Sequence, residues 1–432
     1  MQPHGCNRIM RPFPNKVLGA ILAMMLAGPV SAGTLQDMID AAADGAEVVP
    51  PAGTYVENIV IDHNIVLDGR NGVVIDGGGE GTVVTLRTSG ATLKNLTLQN
   101  SGRLFTETHA GLYVEGNYNV VRDVRIQNTL FGMNIKQSNN NVFRRVTIFT
   151  GAQPLEMRGD SIRVWYSNDN KFEDNDIQDA RDFVIWYSAN NIIRNNRIRN
   201  GRYGIHFMYA HSNTVENNEI SDCVVGIFMM YANNITLRDN QILRSWGASG
   251  IGVGFKESSG AKVYNNNIVG NAFGIYLDPS PWDPEHPNTF EGNRIAYNGV
   301  GIRFLNDWTG NNFNDNSFLS NFTQVLVNGR GTAMREGWNG NHWDDYAGFD
   351  KDRDGVGDVP YEIYNYADRL WMEVPHASFF RGGFALAALD FVERLAPFSE
   401  PRLLMRENTP LMEPPEHITV QDAPKSALEM LQ

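Results

Sequence analysis

Ser161-Ile-Arg-Val-Trp-Tyr-Ser167, Asp182-Phe-Val-Ile-Trp-Tyr-Ser188, Gly204-Ile-His-Phe-Met-Tyr-Ala210 and Gly226-Ile-Phe-Met-Met-Tyr-Ala232 are four versions of one unit. Their starts lie 21, 22 and 22 residues apart. That period is too short for a helix pair or a propeller blade and natural for one coil of a parallel β-helix. The unit continues upstream as Gly111-Leu-Tyr-Val and Gly132-Met-Asn-Ile, and downstream as Gly250-Ile-Gly-Val, Gly274-Ile-Tyr-Leu and Gly301-Ile-Arg-Phe. Each copy is followed by an Asn-rich turn and a second short strand. Asn tolerates left-handed backbone and its amide bonds along a stack of like turns, so these residues are structural. The expected fold class is all-β, a right-handed parallel β-helix with a C-terminal helical and extended tail.

Strand alternation sorts the unit into two faces. Ile162/Val164, Phe183/Ile185, Ile205/Phe207, Ile227/Met229 and Ile251/Val253 form the expected interior. Arg163 and Trp165, Val184 and Trp186, His206 and Met208, Phe228 and Met230 then face outward. With coils about 4.8 Å apart, Trp165, Trp186, Met208 and Met230 make a surface row roughly 15 Å long, with His206 beside it. Thioether and imidazole favour copper(I), and flanking indoles exclude water and offer a face to the cation. His206, Met208 and Met230 are the leading copper candidates; His211, in the following turn, and Met229, pointing inward, are weaker. A one-residue slip would exchange the faces. The competing expectation is that a loop such as Phe149 to Gly159 folds over the row and makes it a second core.

Residues 1–32 carry Arg8, Arg11 and Lys16, an apolar run from Val17 to Val30 and the small-residue end Val30-Ser31-Ala32. This reads as a secretory signal, and with no later apolar stretch of spanning length the chain is expected to be exported and periplasmic. The domain expectation is 33–376 for the coils and 377–432 for the tail. Loss of the signal takes the formal charge from −13 to −16, which disfavours nucleic acid and anionic membrane as partners. Only Cys223 then remains, so no internal disulfide forms; it reads as a buried thiol before a copper ligand. No phosphate-loop motif is present, so any energy comes from a separate ATPase.

Asp350, Asp352, Asp354 and Asp358 stand at positions 1, 3, 5 and 9 of a loop with Gly355 at position 6, the ligand spacing of a calcium loop. Tyr361 stands where the closing Glu belongs, so a solvated acidic turn is the other reading. The Pro-rich insertion Asp278-Pro-Ser-Pro-Trp-Asp-Pro-Glu-His-Pro287 fits a partner contact better than catalysis. His109, His342 and His376 read as structural.

Gly159-Asp-Ser-Ile-Arg-Val-Trp-Tyr-Ser, Gly201-Arg-Tyr-Gly-Ile-His-Phe-Met-Tyr-Ala-His-Ser-Asn and Asn341-His-Trp-Asp-Asp-Tyr-Ala-Gly-Phe-Asp-Lys-Asp-Arg-Asp-Gly-Val-Gly-Asp-Val-Pro-Tyr give the chain a resemblance to the NosD family. The resemblance continues through Phe379-Phe-Arg-Gly-Gly to Phe391-Val-Glu-Arg-Leu-Ala-Pro-Phe-Ser-Glu-Pro401 and covers most of the mature chain. It implies a non-catalytic periplasmic accessory protein of nitrous oxide reductase maturation. The implied partners are an ABC-transporter permease with its ATPase, a copper chaperone lipoprotein and the reductase, with membrane contact only through the permease. It supplies no copper ligands, so the His206, Met208 and Met230 set rests on strand register.

Phe384, Leu386, Leu389, Phe391, Val392 and Leu395 give an amphipathic helix followed by a Pro- and Met-containing stretch. Two readings stand: a cap on the solenoid, or a helix that docks the permease together with an extended Met405–Met412. Deleting 380–432 is expected to leave a folded coil. The rival functional class is a carbohydrate-active or carbohydrate-binding β-helix of the lyase or epimerase kind, for which paired acids or stacking tryptophans are needed.

Overall fold

The computed structural model describes residues 34–365 apart from 152 and 248, together with 388, 391–392 and 402–415. It is a parallel β-solenoid of about 13 turns. One face is a twelve-stranded parallel sheet running from Ile59–Ile61 to Thr323–Val327. The other two faces belong to a 23-stranded sheet. It divides because the strand Val120–Gln127 pairs with both Val142–Arg144 and Thr147–Phe149 in the next coil. Helix α1 (Thr34–Asp40) closes the upstream end with Leu35 and Ile39 fully buried.

The twelve-stranded sheet contains β1 (Ile162–Trp165), β2 (Asp182–Trp186), β3 (Tyr203–Met208), β4 (Val225–Met230), β5 (Ile251–Lys256) and β6 (Phe273–Asp278). Ile162, Val164, Ile185, Ile205, Phe207, Ile227 and Met229 are all 0% exposed, the expected interior. Ile251 departs from it. It pairs with Val225 and belongs to an outer apolar cluster with Val225 and Phe228, while Val253 and Phe255 take the interior positions. The cause is an extra residue at the start of β3, a register shift between Asp182 and Val184 that later strands keep. Where it passes, the backbones pinch together: a Cβ on Gly226 would lie 2.5 Å from the carbonyl oxygen of Gly252.

Asn side chains tie the turns in polar stacks. Asn196 is typical: its backbone N–H and its Nδ2 each donate to Asn218 Oδ1 at 2.9 Å, and Nδ2 also donates to the Phe172 carbonyl. Every buried amide thereby has its partners, and leaving one unpaired costs about 1–3 kcal/mol. In the buried stacks that end at Asn311 and Asn341 the amide-to-amide bonds point downstream, and the last donors meet carboxylates. Asn311 ends on Glu336 and Asn341 on Glu407.

The expected free strip from Met405 to Met412 is not free. Here β7 (Tyr361–Asn365) pairs antiparallel with β8 (Arg402–Glu407), Leu404 and Met405 are 0% exposed, and the Met412 N–H donates to the Gly355 carbonyl at 3.0 Å. The segment lies over the downstream end of the coils, where the last apolar layer must be covered. Phe391 and Val392 are helical and exposed, at 63% and 45%. Phe384, Leu386, Leu389 and Leu395 lie outside the described residues, as does 1–33.

Candidate functional site

The outer face of β1 to β4 carries three rows, set by pairing in register. Arg163, Val184, His206 and Phe228 stand side by side; Trp165, Trp186, Met208 and Met230 form the next row. Tyr166, Tyr187, Tyr209 and Tyr231 make the third at the turn, their rings stacked at 5.0, 5.2 and 4.8 Å. All four tyrosines have left-handed backbone, φ 47–53°, as do Gln137 and Glu257 at the same turn of the flanking coils, a conformation uncommon for non-Gly residues and imposed here by the coil. Trp165 and Trp186 stack at 5.2 Å, and the Arg163 guanidinium lies 5.0 Å from the Trp165 ring. Past Met230 the second row continues as Lys256 and Asp278.

His206 is 7% exposed. The Tyr203 ring lies on it at 4.4 Å and the Phe228 edge faces it at 6.2 Å. Its Nε2 is buried with no hydrogen-bond partner. Burial pushes its pKa down to about 4, against the opposing pull of Asp182, so the ring is neutral at physiological pH and keeps a lone pair. Met208 and Met230, adjacent in register, are partly exposed next to it. These two neutral thioethers and one neutral imidazole form the softest donor set of the sheet. The structure does not bring His211 or Met229 to this face. His211 is exposed beyond the turn, its Nδ1 accepting the Asn233 N–H at 3.1 Å, and Met229 lies in the core.

The Phe149–Gly159 loop leaves the row uncovered. Its short 3-10 turn Leu155–Met157 lies along the corner leading into the sheet, where Arg158 donates to the Asn200 carbonyl at 2.8 Å, and Met157 is 60% exposed. At the same edge Asp160 pairs with Arg181 at 2.9 Å and Asp182 with Arg202. Burial, outweighing Arg181, raises the pKa of Asp160.

Elsewhere, carboxylate oxygens of Asp350, Asp352 and Asp354 lie within 4.8 Å of one another. Asp358 stands outside that group and accepts the Lys351 N–H at 2.6 Å. Neighbouring Asp354 raises the pKa of Asp352, as two like charges at close range must. Cys223 is buried and its thiol is pushed up to about 12 by burial. In the Pro-rich insertion His286 bonds Asp283 at 2.7 Å in the open. His109 bonds Glu107 at 2.9 Å and His342 faces the Leu411 carbonyl at 3.2 Å, both holding loops; His376 lies outside the described residues.

Sequence reasoning missed the tyrosine row, although Tyr recurs at a fixed place in all four units. It also missed a ladder on the 23-stranded sheet, Arg144, Glu173, Arg194, Glu216 and Arg238, whose alternating charge at coil spacing was readable.

Residues 144–348 match the family described as periplasmic copper-binding protein (NosD). A probable ABC transporter binding protein NosD from Pseudomonas aeruginosa is 31% identical over 91% of this chain and 97% of its own length. Another from Stutzerimonas stutzeri is 30% identical over 26% of each chain. Among solved structures, the mannuronan C-5 epimerase AlgE6 A-module of Azotobacter vinelandii superposes with TM-score 0.59 at 18% identity, over 74% of this chain and 97% of its own. A mannuronic acid specific family 6 polysaccharide lyase from human gut microbiota does so with TM-score 0.50 at 14% identity, over 70% and 83%. At such identities the likeness is one of fold alone. The near full-length relation to the Pseudomonas protein is one of sequence, and by it this chain belongs to the NosD family.

Proposed function

We propose that this protein is a non-catalytic periplasmic copper-handling factor that receives or delivers copper(I) as cargo at His206, Met208 and Met230. One observation carries the reading: a neutral imidazole, buried with its Nε2 unpartnered, shares the outer face with two thioethers in the neighbouring row. Three neutral soft donors suit a weakly hydrated monovalent cation, and Trp165 and Trp186 keep water away. By the name its relatives carry, it works with an ABC transporter; we extend this to a permease with its ATPase, a copper chaperone lipoprotein, and nitrous oxide reductase as the recipient. The exposed Phe391–Val392 helix is the proposed permease contact, in a tail unit 377–432 set off from coils 33–376, and residues 1–32 are the proposed export signal. Calcium at Asp350, Asp352 and Asp354 is a separate, structural proposal.

The carbohydrate reading is weaker on this face. Sugar rings stack on open aromatic faces, whereas these rings spend their faces on one another. The acids at the sheet edge, Asp160 and Asp182, are already ion-paired.

The test is an anaerobic copper(I) titration against a competing chelator, with the His206→Ala, Met208→Ala, Met230→Ala variant beside the wild type. Tight binding lost in the variant is the expected result. Equal binding by both proteins would remove the site, and binding by neither would remove the copper role of the isolated protein.

A further inference from the structure

One side chain shuts His206 in, and the backbone is shaped to hold it there. Strands β2 and β3 are in register at Asp182 and Tyr203, and again from Val184 and His206 onward, so β3 carries one more residue between these points. A bulge of this kind re-aims side chains. Residues three apart on a regular strand face opposite ways, yet here the Tyr203 ring lies nearly parallel to the His206 ring, the planes 18° apart and the centroids 4.4 Å apart.

Tyr203 is held in turn from its own end of the strand. Its N–H donates to Asp182 Oδ1 at 3.3 Å, and the Arg202 guanidinium sits 5.1 Å from its ring while ion-paired to the same Asp182 carboxylate. Asp182 is 4% exposed, so the charge that anchors Arg202 is shielded from solvent screening. Phe228 meets the imidazole edge-on, and its ring lies down over Gly254, where a Cβ would come within 2.3 Å of it. Of the two aromatic neighbours, then, Phe228 is buried, and Tyr203, which packs against it at 6.0 Å, is the one with a partly exposed face.

We propose that Tyr203 is a gate over His206: the Nε2 lone pair meets a ligand only when the phenol ring swings outward, and the Asp182–Arg202 pair sets how often it does. Tyr203 is a positioning residue and donates nothing to the cargo. The gate bears on copper only through the reading of His206 as a ligand, but it can be tested without metal.

The probe is diethyl pyrocarbonate, which acylates neutral imidazole, with the modified residues located by mass spectrometry. His211, exposed eight residues from Tyr203, is the internal reference. In the wild type His206 reacts much more slowly than His211. Tyr203→Ala raises the His206 rate by about tenfold and Arg202→Ala by about threefold, as expected when a local closure is weakened, with His211 unchanged. Tyr203→Phe keeps the wild-type rate, because the ring and not the hydroxyl covers the imidazole. Tyr203 faces outward, so Tyr203→Ala leaves the core layer intact, and a cooperative melt checks this. Reaction of wild-type His206 as fast as His211, or continued protection in Tyr203→Ala, overturns the gate. If the rates behave as stated while His206→Ala binds copper(I) like the wild type, the gate stands and the copper reading falls.

Discussion

The 23-stranded and twelve-stranded sheets are built from the same coils, yet one carries a ladder of alternating charge and the other an aromatic face with thioethers and an imidazole. On the first, Glu173 lies between Arg144 and Arg194, and Glu216 pairs with Arg238 in the same ladder. Burial works to raise the Glu173 carboxyl, but its two guanidinium partners outweigh it and hold the pKa below the ordinary value. On the second, the His206 Nε2 and the Trp186 Nε1 are buried with no partner at all. Buried polar groups are normally paired, so each unpaired one calls for an explanation; for His206 the explanation we propose is the cargo. On the proposed reading the ladder face serves stability and the soft face serves function.

That division can be broken by exchanging the assays. Replacing His206, Met208 and Met230 together by Ala should weaken copper(I) binding by about a thousandfold or more, roughly 4 kcal/mol, while the thermal midpoint moves by no more than about 2 °C. Glu173→Gln should do the reverse. It leaves Arg144 and Arg194 facing a neutral amide, costs roughly 3 kcal/mol by chemical denaturation and leaves copper affinity unchanged. If either variant moved both quantities, the two faces would not be separable.

The solenoid end gives a third and smaller contrast, in pH. Burial pushes both Glu336 and Glu407 up to about 7, against the amide donors that favour their ionised forms. A carboxyl whose folded pKa is raised contributes stability that is present below about 4.5 and lost as pH rises to about 7. The protein should therefore melt higher at pH 5.5 than at pH 8, each of the two carboxyls contributing about 2 kcal/mol to the gap. Glu407→Gln should remove about half of this slope and leave copper binding alone; an unchanged slope would mean that Glu407 does not titrate in this window. Smallest of all, calcium at millimolar concentration should raise the midpoint by about 2 °C by binding the native state, and Asp352→Asn should abolish the rise. No shift in the wild type would leave Asp350, Asp352 and Asp354 as a solvated turn.

Much of this was legible in the chain. A fixed period with strict alternation carries its own register, so the inward Ile205 and Phe207 and the outward His206 and Met208 could be read directly. What escaped is what a repeat cannot express. The extra residue at Tyr203 alters one joint and thereby moves Ile251 outside. Strand β8 finds β7 across more than thirty residues, so Met405, which the sequence places in an extended docking strip, ends in the core. The tyrosines adopt a backbone that residue preference assigns to Asn or Gly, and so do Gln137 and Glu257 at the same turn in the flanking coils, so the coil geometry and not the residue sets it. Burial of the His206 Nε2 depends on Tyr203 lying flat, which is a matter of angle and not of spacing.

The carboxylates at the end of the Asn stacks have one more consequence. A coil that offers unpaired strand and aligned amides is a template on which a second molecule could continue the stack, and a solenoid left open in this way would grow end to end into fibres. In the stack that ends at Asn341, each Asn from Asn175 on accepts from the rung before it and donates to the rung after. Glu407 accepts from Asn341 and from the Trp343 indole but, once ionised, has no hydrogen to hand on. Polymerisation is thus terminated by valence, at the cost of keeping a buried charge, and putting Gln at 407 would restore the missing donor.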